Sequence, residues 1–305
     1  MKILSDNMRG SLMMTAAMAG FTLNDTCMKA VTATMPLYQA IFLRGLLTIA
    51  LLVAFSGYLG GLKFALPRRD AVIISIRTLA EVGSTVTFLT ALMHMPLANL
   101  SAIMQSQPLA ITLAAAIIFR ERIGWRRILA IGIGFIGVMM IVKPGTESFT
   151  IWAAVGVLCV LIVVVRDLST RQLSPAVNAV TVAFHAATAV TGLALLIVPF
   201  SGWEPVGLRE AAAIAAASVF LIAGYLFIVA AMRIGEIGVI APFRYTALVF
   251  ALILGWLIFR QLPGGWTMAG ALIVVATGIY TFYRERAVAK RAAAAAAISV
   301  ARGAD

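Results

Sequence analysis

Ten apolar runs, separated by short polar breaks, occupy most of the chain: 11–33, 36–57, 71–92, 97–119, 127–142, 150–168, 176–200, 210–232, 236–259 and 266–283. A helix needs about 20 apolar residues to cross a bilayer, and a barrel strand only about 10. Runs of this length, with no alternation of polar and apolar residues, specify helices that satisfy their own backbone groups in lipid. The chain cannot clothe such runs in water. It is 62% hydrophobic and 12% charged, with a mean hydropathy of +1.01, against about 45–50% apolar and 25% charged for soluble domains. A soluble globular enzyme, a disordered protein and a disulfide-stapled domain are therefore excluded. The first run carries Asn24, Asp25 and Lys29, which a cleavable signal sequence would not tolerate, so it is expected to remain as a first span. The expected fold is an all-α integral membrane protein with ten transmembrane helices.

Charge orients the spans. With the amino terminus in the cytoplasm, seventeen basic residues fall in inside segments, among them Arg68, Arg69, Arg120, Arg122, Arg126, Arg127, Arg166 and Arg171. Only Lys143, Arg209 and Arg260 fall outside. Cytoplasmic loops carry such an excess, so both termini are expected to be cytoplasmic, in a multi-pass protein of the bacterial inner membrane. The net charge of +12 is read the same way, with no nucleic-acid partner. Cys27 and Cys159 lie inside apolar runs and are expected to be reduced; His94 and His185 are too few for a histidine metal site. No metal or cofactor is expected.

The chain repeats itself. Residues 91–127 and 230–266 both run through a span to Ile-Phe-Arg, at Ile118-Phe119-Arg120 and Ile258-Phe259-Arg260. Glu121 or Gln261 follows, then Gly124-Trp125 or Gly265-Trp266. The offset is about 140 residues, near half the chain, so each half holds five spans. Five is odd, and the second half must lie upside down relative to the first. Inverted repeats mark alternating-access transporters, with the substrate site near the midplane between halves. The expected organisation is a cytoplasmic segment at 1–10, a first repeat at 11–143, a second at 150–283, and a basic, Ala-rich cytoplasmic tail at 284–305.

The segment AL…PLANLSAIMQSQPL…IIFRE…GW…GFIGVMMIVKPG, from Ala91 to Gly145, resembles the EamA domain of the drug/metabolite transporter superfamily, in two tandem copies at about 10–143 and 150–283. The second copy departs from the pattern at Gln261, where the first has Glu121. The first span, with Asn24-Asp25 and then Lys29, is similar to the subgroup that includes bacterial S-adenosylmethionine uptake transporters and riboflavin transporters. The resemblance implies carriage of a small polar metabolite, with uptake of a vitamin or nucleoside-like compound as one expectation and efflux of amino acids or drugs as the other.

Six charged residues fall at mid-span in the runs: Asp25, Lys29, Arg44, Arg77, Glu81 and Arg244. Each costs about 2.5–3.5 kcal/mol at mid-span if left to lipid, so they must face each other or a wet cavity. Asp25 with Lys29, and Arg77 with Glu81, stand four apart on one helix face and serve as coupling groups or as structural ion pairs. Arg44 and Arg244 have no acidic partner on their own helix. The surplus of two positive charges points to an anionic or electron-rich group on the substrate, which a planar guanidinium suits. Asn24, Asp25, Arg44, Gln105, Arg244 and Tyr245 are the candidate substrate-binding residues; in the repeat, Gln105 falls opposite Arg244 and Ser106 opposite Tyr245. Gln39 reads as a helix-packing group and His185 as a satisfied interior histidine. An intramembrane carboxyl, Asp25 or Glu81, is the candidate for proton exchange. Pro108 and Pro242 are expected to kink the fourth and ninth spans, although they do not align in the repeat.

Gly132-x-Gly134-x-x-Gly137 matches a dinucleotide fingerprint but lies inside an apolar run, with no strand before it; close helix packing explains it, as it does Ala16-xxx-Gly20. A membrane-embedded enzyme would need acid, base or metal groups clustered near one face, and the polar residues here scatter through mid-depth. The expected partners are a small-molecule substrate, the lipid bilayer and protons; nothing in the sequence sets an oligomeric state.

Overall fold

A computed structural model describes residues 6–57, 60–63, 65–118, 120, 124–143, 150–174, 176–234 and 237–302, except for the side chains of 233, 237–238, 285–286 and 288–302. Phe119 and Glu121 of the first repeat motif lie outside the described residues, as do residues 1–5 and 303–305 of the two terminal segments. Among the described residues all regular structure is helical. The helices are α1 (Asp6–Val31), α2 (Leu37–Phe55), α3 (Arg68–His94), α4 (Leu97–Met104), α5 (Gln107–Ile118), α6 (Trp125–Val142), α7 (Ile151–Arg171), α8 (Ala179–Ser201), α9 (Leu208–Ile234), α10 (Ile237–Ile240), α11 (Thr246–Phe259) and α12 (Gly265–Arg302). Among the described residues nine helical segments are long and apolar enough to cross a membrane. The 26-residue α1 is long enough but more polar, because it carries Asn24, Asp25 and Lys29.

Local chemistry sets the boundaries. Proline stands immediately before α2, α3 and α4, at Pro36, Pro67 and Pro96. A helix start leaves its first N–H groups without intrahelical partners, so a missing N–H costs little there. The same ring blocks continuation of the helix before it. Pro36, Pro67 and Pro96 each supply the carbonyl that opens the next helix, accepting from Ala40, Ala71 and Leu100 at 2.9–3.2 Å. Asn178 caps α8, its side-chain oxygen accepting from Thr181 N at 3.0 Å.

Two spans are broken, and at matching places in the repeat. The fourth divides into α4 and α5 at Gln105-Ser106; the ninth divides into α10 and α11 around a 3₁₀ turn, Ala241–Tyr245. Pro108 and Pro242 are not mid-helix kinks as expected. Pro108 is the second residue of α5, after its break, and Pro242 is the second residue of the 3₁₀ turn itself, where a residue without an N–H is tolerated. Arg120 and Arg260, the arginines of the two Ile-Phe-Arg motifs, both take left-handed conformations, with φ of 53° and 55°.

The helices of the two halves pair with one another. The first helix of each half lies along the third of the other, as α1 along α9 and α3 along α7; α2 lies along α8, α6 along α12, and α4 against α11. The α6–α12 crossing is close because it is glycine on glycine. A Cβ on Gly137 would strike the Gly270 carbonyl, and one on Gly270 would strike the Gly137 carbonyl. Gly134 packs against Leu109 and Thr277, and Gly20 against the Phe220 carbonyl and Gly224. Close packing thus accounts for the glycines at 20, 134 and 137, whereas Gly132 meets nothing. Large apolar side chains such as Leu79, Ile117 and Leu196, about 70% exposed, face outward as a lipid-facing surface.

Two expected boundaries shift. α7 runs on to Arg171, so Arg166 belongs to a helix rather than to a basic loop. α12 continues unbroken past 283 to Arg302, so its backbone carries the expected tail onward as one helix.

Candidate functional site

A cavity of about 900 Å³ lies among the spans. Its lining comes nearest to the 31–37 and 94–97 turns at Asp25 on α1, Arg44 on α2, Leu89 on α3 and Ser101 on α4, and includes Cys159 on α7 and Thr191 on α8. From there the lining extends toward the ends of the helices at Arg77, Thr112, Arg127, Thr170, Arg171 and Thr281. Beyond the deep end stands packed apolar core: Met28, Val31, Met35, Ile41, Leu92, Leu97 and Val142 are each no more than 6% exposed. The cavity is therefore a blind vestibule. Its closed end faces the 31–37 and 94–97 turns, and its mouth faces the turns around 60, 120 and 174.

Its electrostatics are lopsided. Among the described residues six arginines line it (Arg44, Arg77, Arg127, Arg166, Arg171 and Arg244), against three acids, Asp25, Glu81 and Asp167. The excess of three positive charges exceeds the two expected from the runs. At the closed end Asn24 joins two charged groups: its Oδ1 accepts from Arg44 Nη1 at 3.2 Å, and its Nδ2 donates to Asp25 Oδ1 at 2.9 Å. On the α3–α7 wall, Arg77 pairs with Glu81 at 2.9 Å, Arg166 reaches Glu81 at 3.5 Å and Asp167 at 2.8 Å, and Arg77 Nε donates to Thr170 Oγ1 at 3.3 Å. Arg127 Nη2 donates to Thr112 Oγ1 at 3.2 Å.

The two helix breaks meet here. Gln105 Nε2 donates to the Tyr245 carbonyl at 3.3 Å, so a side chain at one break ties down the backbone of the other. Tyr245 is buried, with its hydroxyl packed on Gly278 and holding no hydrogen bond. Arg244, also in the cavity wall, is solvent-accessible within it and has no hydrogen-bond or ion-pair partner among the described residues.

The expected residues Asn24, Asp25, Arg44, Arg77, Glu81, Gln105, Arg244 and Tyr245 all line this one cavity. Lys29 does not. Its ammonium donates to the Met95 carbonyl at 2.7 Å and to the Leu92 carbonyl, so the expected pairing with Asp25 is replaced by a clamp on the end of α3. Pro96 ends that helix, leaving carbonyls that a cation satisfies well at a helix C-terminus. Gln39, fully buried, exchanges two hydrogen bonds with the backbone of Glu204, at 2.7 and 2.9 Å, in keeping with its packing role. His185 binds the Thr181 carbonyl of its own helix at 2.8 Å. Sequence reasoning assigned Arg127, Arg166 and Arg171 to basic loops and passed over Asp167. The signal for the last was its place beside Arg166 inside the apolar run. Among the described residues no three His, Cys, Asp or Glu come together to hold a metal.

Residues 8–143 and 148–283 both match the profile of the EamA-like transporter family. The chain is 27% identical over 270 residues to the pseudopaline exporter CntI of Pseudomonas aeruginosa, covering 87% of this chain and 93% of that one. It is 24% identical to an S-adenosylmethionine uptake transporter of Rickettsia prowazekii, covering 87% and 89%. It is 23% identical to a riboflavin transporter of Brucella anthropi, covering 70% and 77%. A solved crystal structure shares the fold with a TM-score of 0.62 and 19% identity, over 91% of this chain and 98% of that one.

Proposed function

The chain belongs to the EamA-like transporter family, and from that premise we propose that it carries a small polar organic metabolite across the bacterial inner membrane by alternating access. Small-molecule transport across a membrane is the common property of its named relatives. The observation that carries the proposal is the vestibule, lined among the described residues by six arginines against three acids. An intramembrane cavity whose described lining carries more cations than acids calls for an anionic or electron-rich cargo.

The two halves are inverted repeats, with both termini in the cytoplasm and the mouth on the cytoplasmic face. Helix pairing supports this, because exchanging the halves turns α1–α9 into α3–α7 and returns α2–α8 and α6–α12 to themselves. The matching breaks and the two left-handed arginines support it as well. So does a pair of amide clasps. Gln39, at the start of α2, grips the Glu204 backbone between α8 and α9. Asn178, 139 residues later, grips the Gly60 and Gly61 carbonyls between α2 and α3 at 2.9 and 2.6 Å. In this arrangement the clasps hold α2–α8 at both faces, and α1–α9 and α3–α7 tilt about it to expose the cavity alternately.

The cargo sits between Asn24, Asp25, Arg44, Gln105, Arg244 and Tyr245. Uptake of a nucleoside- or vitamin-like compound accords with the S-adenosylmethionine and riboflavin relatives; similarity to the pseudopaline exporter favours efflux as the second reading. Asp25 and Glu81 are the groups that would exchange protons if flux is coupled. The test is radiolabelled flux into proteoliposomes, with and without a pH gradient, for wild type and the Arg44→Gln and Arg244→Gln variants. The proposal expects saturable flux whose apparent affinity falls at least tenfold in each variant. Unchanged affinity in both would remove the cavity from the transport path, and flux indifferent to the gradient would remove proton coupling.

A further inference from the structure

The closed end of the vestibule differs in kind from its mouth. Toward the mouth, among the described residues, stand Arg77, Arg127, Arg166, Arg171 and Arg244 against Glu81 and Asp167, so their positive excess lies there. The closed end holds one charge of each sign, Asp25 and Arg44. These two are not joined directly by an ion pair among the described residues. The Asn24 amide stands between them, donating to the carboxylate and accepting from the guanidinium. Each charge therefore keeps bonding capacity free. Arg44 Nε is buried and has no hydrogen-bond partner among the described residues, and the same is true of Thr48 Oγ1, one turn further along the same face of α2. Two opposite charges spaced by one amide, with a spare N–H and a spare hydroxyl beside the cation, disfavour any singly charged ligand. A lone carboxylate meets Asp25, and a lone ammonium meets Arg44. They complement a group that bears both signs a few bonds apart.

We infer that the closed end is a subsite for the ammonium–carboxylate head of an α-amino acid or of a metabolite built on one. Asp25 takes the ammonium, Arg44 Nε and Thr48 Oγ1 take the carboxylate, and Asn24 holds the two receptors at their spacing. The body of the cargo then extends past Gln105 and Tyr245 into the cationic mouth. Buried groups built to pair with a ligand reject analogues that leave them unpaired, by the full cost of a desolvated polar group. This inference rests on the reading that the vestibule is the transport site.

The test is ligand-induced thermal stabilisation and competition binding on the purified full-length protein. The probes are the twenty protein amino acids and S-adenosylmethionine, the deaminated and decarboxylated analogue of each binder, and riboflavin as a compound with no such head. At least one head-bearing compound is expected to bind, and removal of either head group weakens it at least tenfold. Asp25→Asn should abolish the penalty for losing the ammonium, and Arg44→Gln the penalty for losing the carboxylate. Should either variant fail to fold, the near-isosteric Thr48→Val is expected to weaken head-bearing ligands at least threefold and leave decarboxylated analogues unaffected. The inference is overturned if no head-bearing compound binds, if either head group can be lost without penalty, or if the variants discriminate as wild type does. Riboflavin flux that depends on Arg44 and Arg244, with head-bearing compounds inert, would overturn this inference alone. Flux indifferent to every cavity variant would overturn the transport-site reading with it.

Discussion

Lys29 and Arg244 are both intramembrane cations, yet their surroundings give them opposite work. Lys29 is spent on two carbonyls at the end of α3, and its ammonium lies 5.6 Å from the Phe259 ring centre. Replacing it with methionine keeps the length and leaves those carbonyls unpaired. Hydrogen bonds to charged groups contribute about 1.5–3 kcal/mol each. Lys29→Met should therefore lower the melting temperature in detergent clearly while leaving the KM for transport within twofold. Arg244 makes no bond of its own among the described residues, so Arg244→Gln should do the reverse, with an unchanged melting temperature and a KM raised at least tenfold. Asp25, Arg44, Gln105, Arg244 and Tyr245 were legible in the sequence because each interrupts an apolar run that lipid would otherwise claim. Arg127, Arg166 and Arg171 were not, because a cation near a helix end serves loop topology as readily as it lines a vestibule. The true partner of Lys29 was hidden for a related reason: spacing along α1 shows Asp25, whereas the carbonyls of α3 come near only in the folded bundle.

At the level of the element, the strongest constraints lie where helices cross and where one half grips the other. The Gly137–Gly270 contact leaves no room for a Cβ against backbone. Gly270→Ala should cost about 1–3 kcal/mol, as overpacking does. Gly192, which meets nothing, should accept alanine with no loss, since alanine is the better helix former by about 1 kcal/mol. Thermal melting of the two variants decides. The clasps offer a second test. Gln39→Ala with Asn178→Ala removes both grips and the α8 cap, a loss of at least about 2 kcal/mol. If the α2–α8 pair is the fixed post, the double variant should also slow turnover while leaving binding affinity unchanged, which transport kinetics beside equilibrium binding would separate. The spans themselves could be read from apolar length. The breaks at Gln105-Ser106 and Ala241–Tyr245 could not be placed from the prolines alone, because Pro108 follows its break whereas Pro242 lies within the other, and the two breaks are tied by a tertiary contact, Gln105 with the Tyr245 carbonyl.

For the whole molecule, the proposal is that two mutually inverted halves enclose a net-cationic vestibule that reaches one face of the membrane at a time. The two-copy organisation was legible in the sequence, in the repeat of 91–127 at 230–266. The depth of the vestibule, and which end is closed, came from the packing of Met28, Val31, Leu92 and Leu97 into one plug, a property of the assembled bundle that no single run displays. The most direct measurement is side-specific labelling with a membrane-impermeant maleimide in a background where Cys27 and Cys159 are alanine. One cysteine replaces Thr170 in the vestibule wall and another replaces Leu92 in the plug. The account predicts that the Thr170 position reacts from the cytoplasmic side alone and is protected by cargo, while the Leu92 position is silent until cargo turns the cavity over and then reacts from the outside. Labelling of the Thr170 position from the outer face at rest, or silence at both positions under every condition, would contradict it.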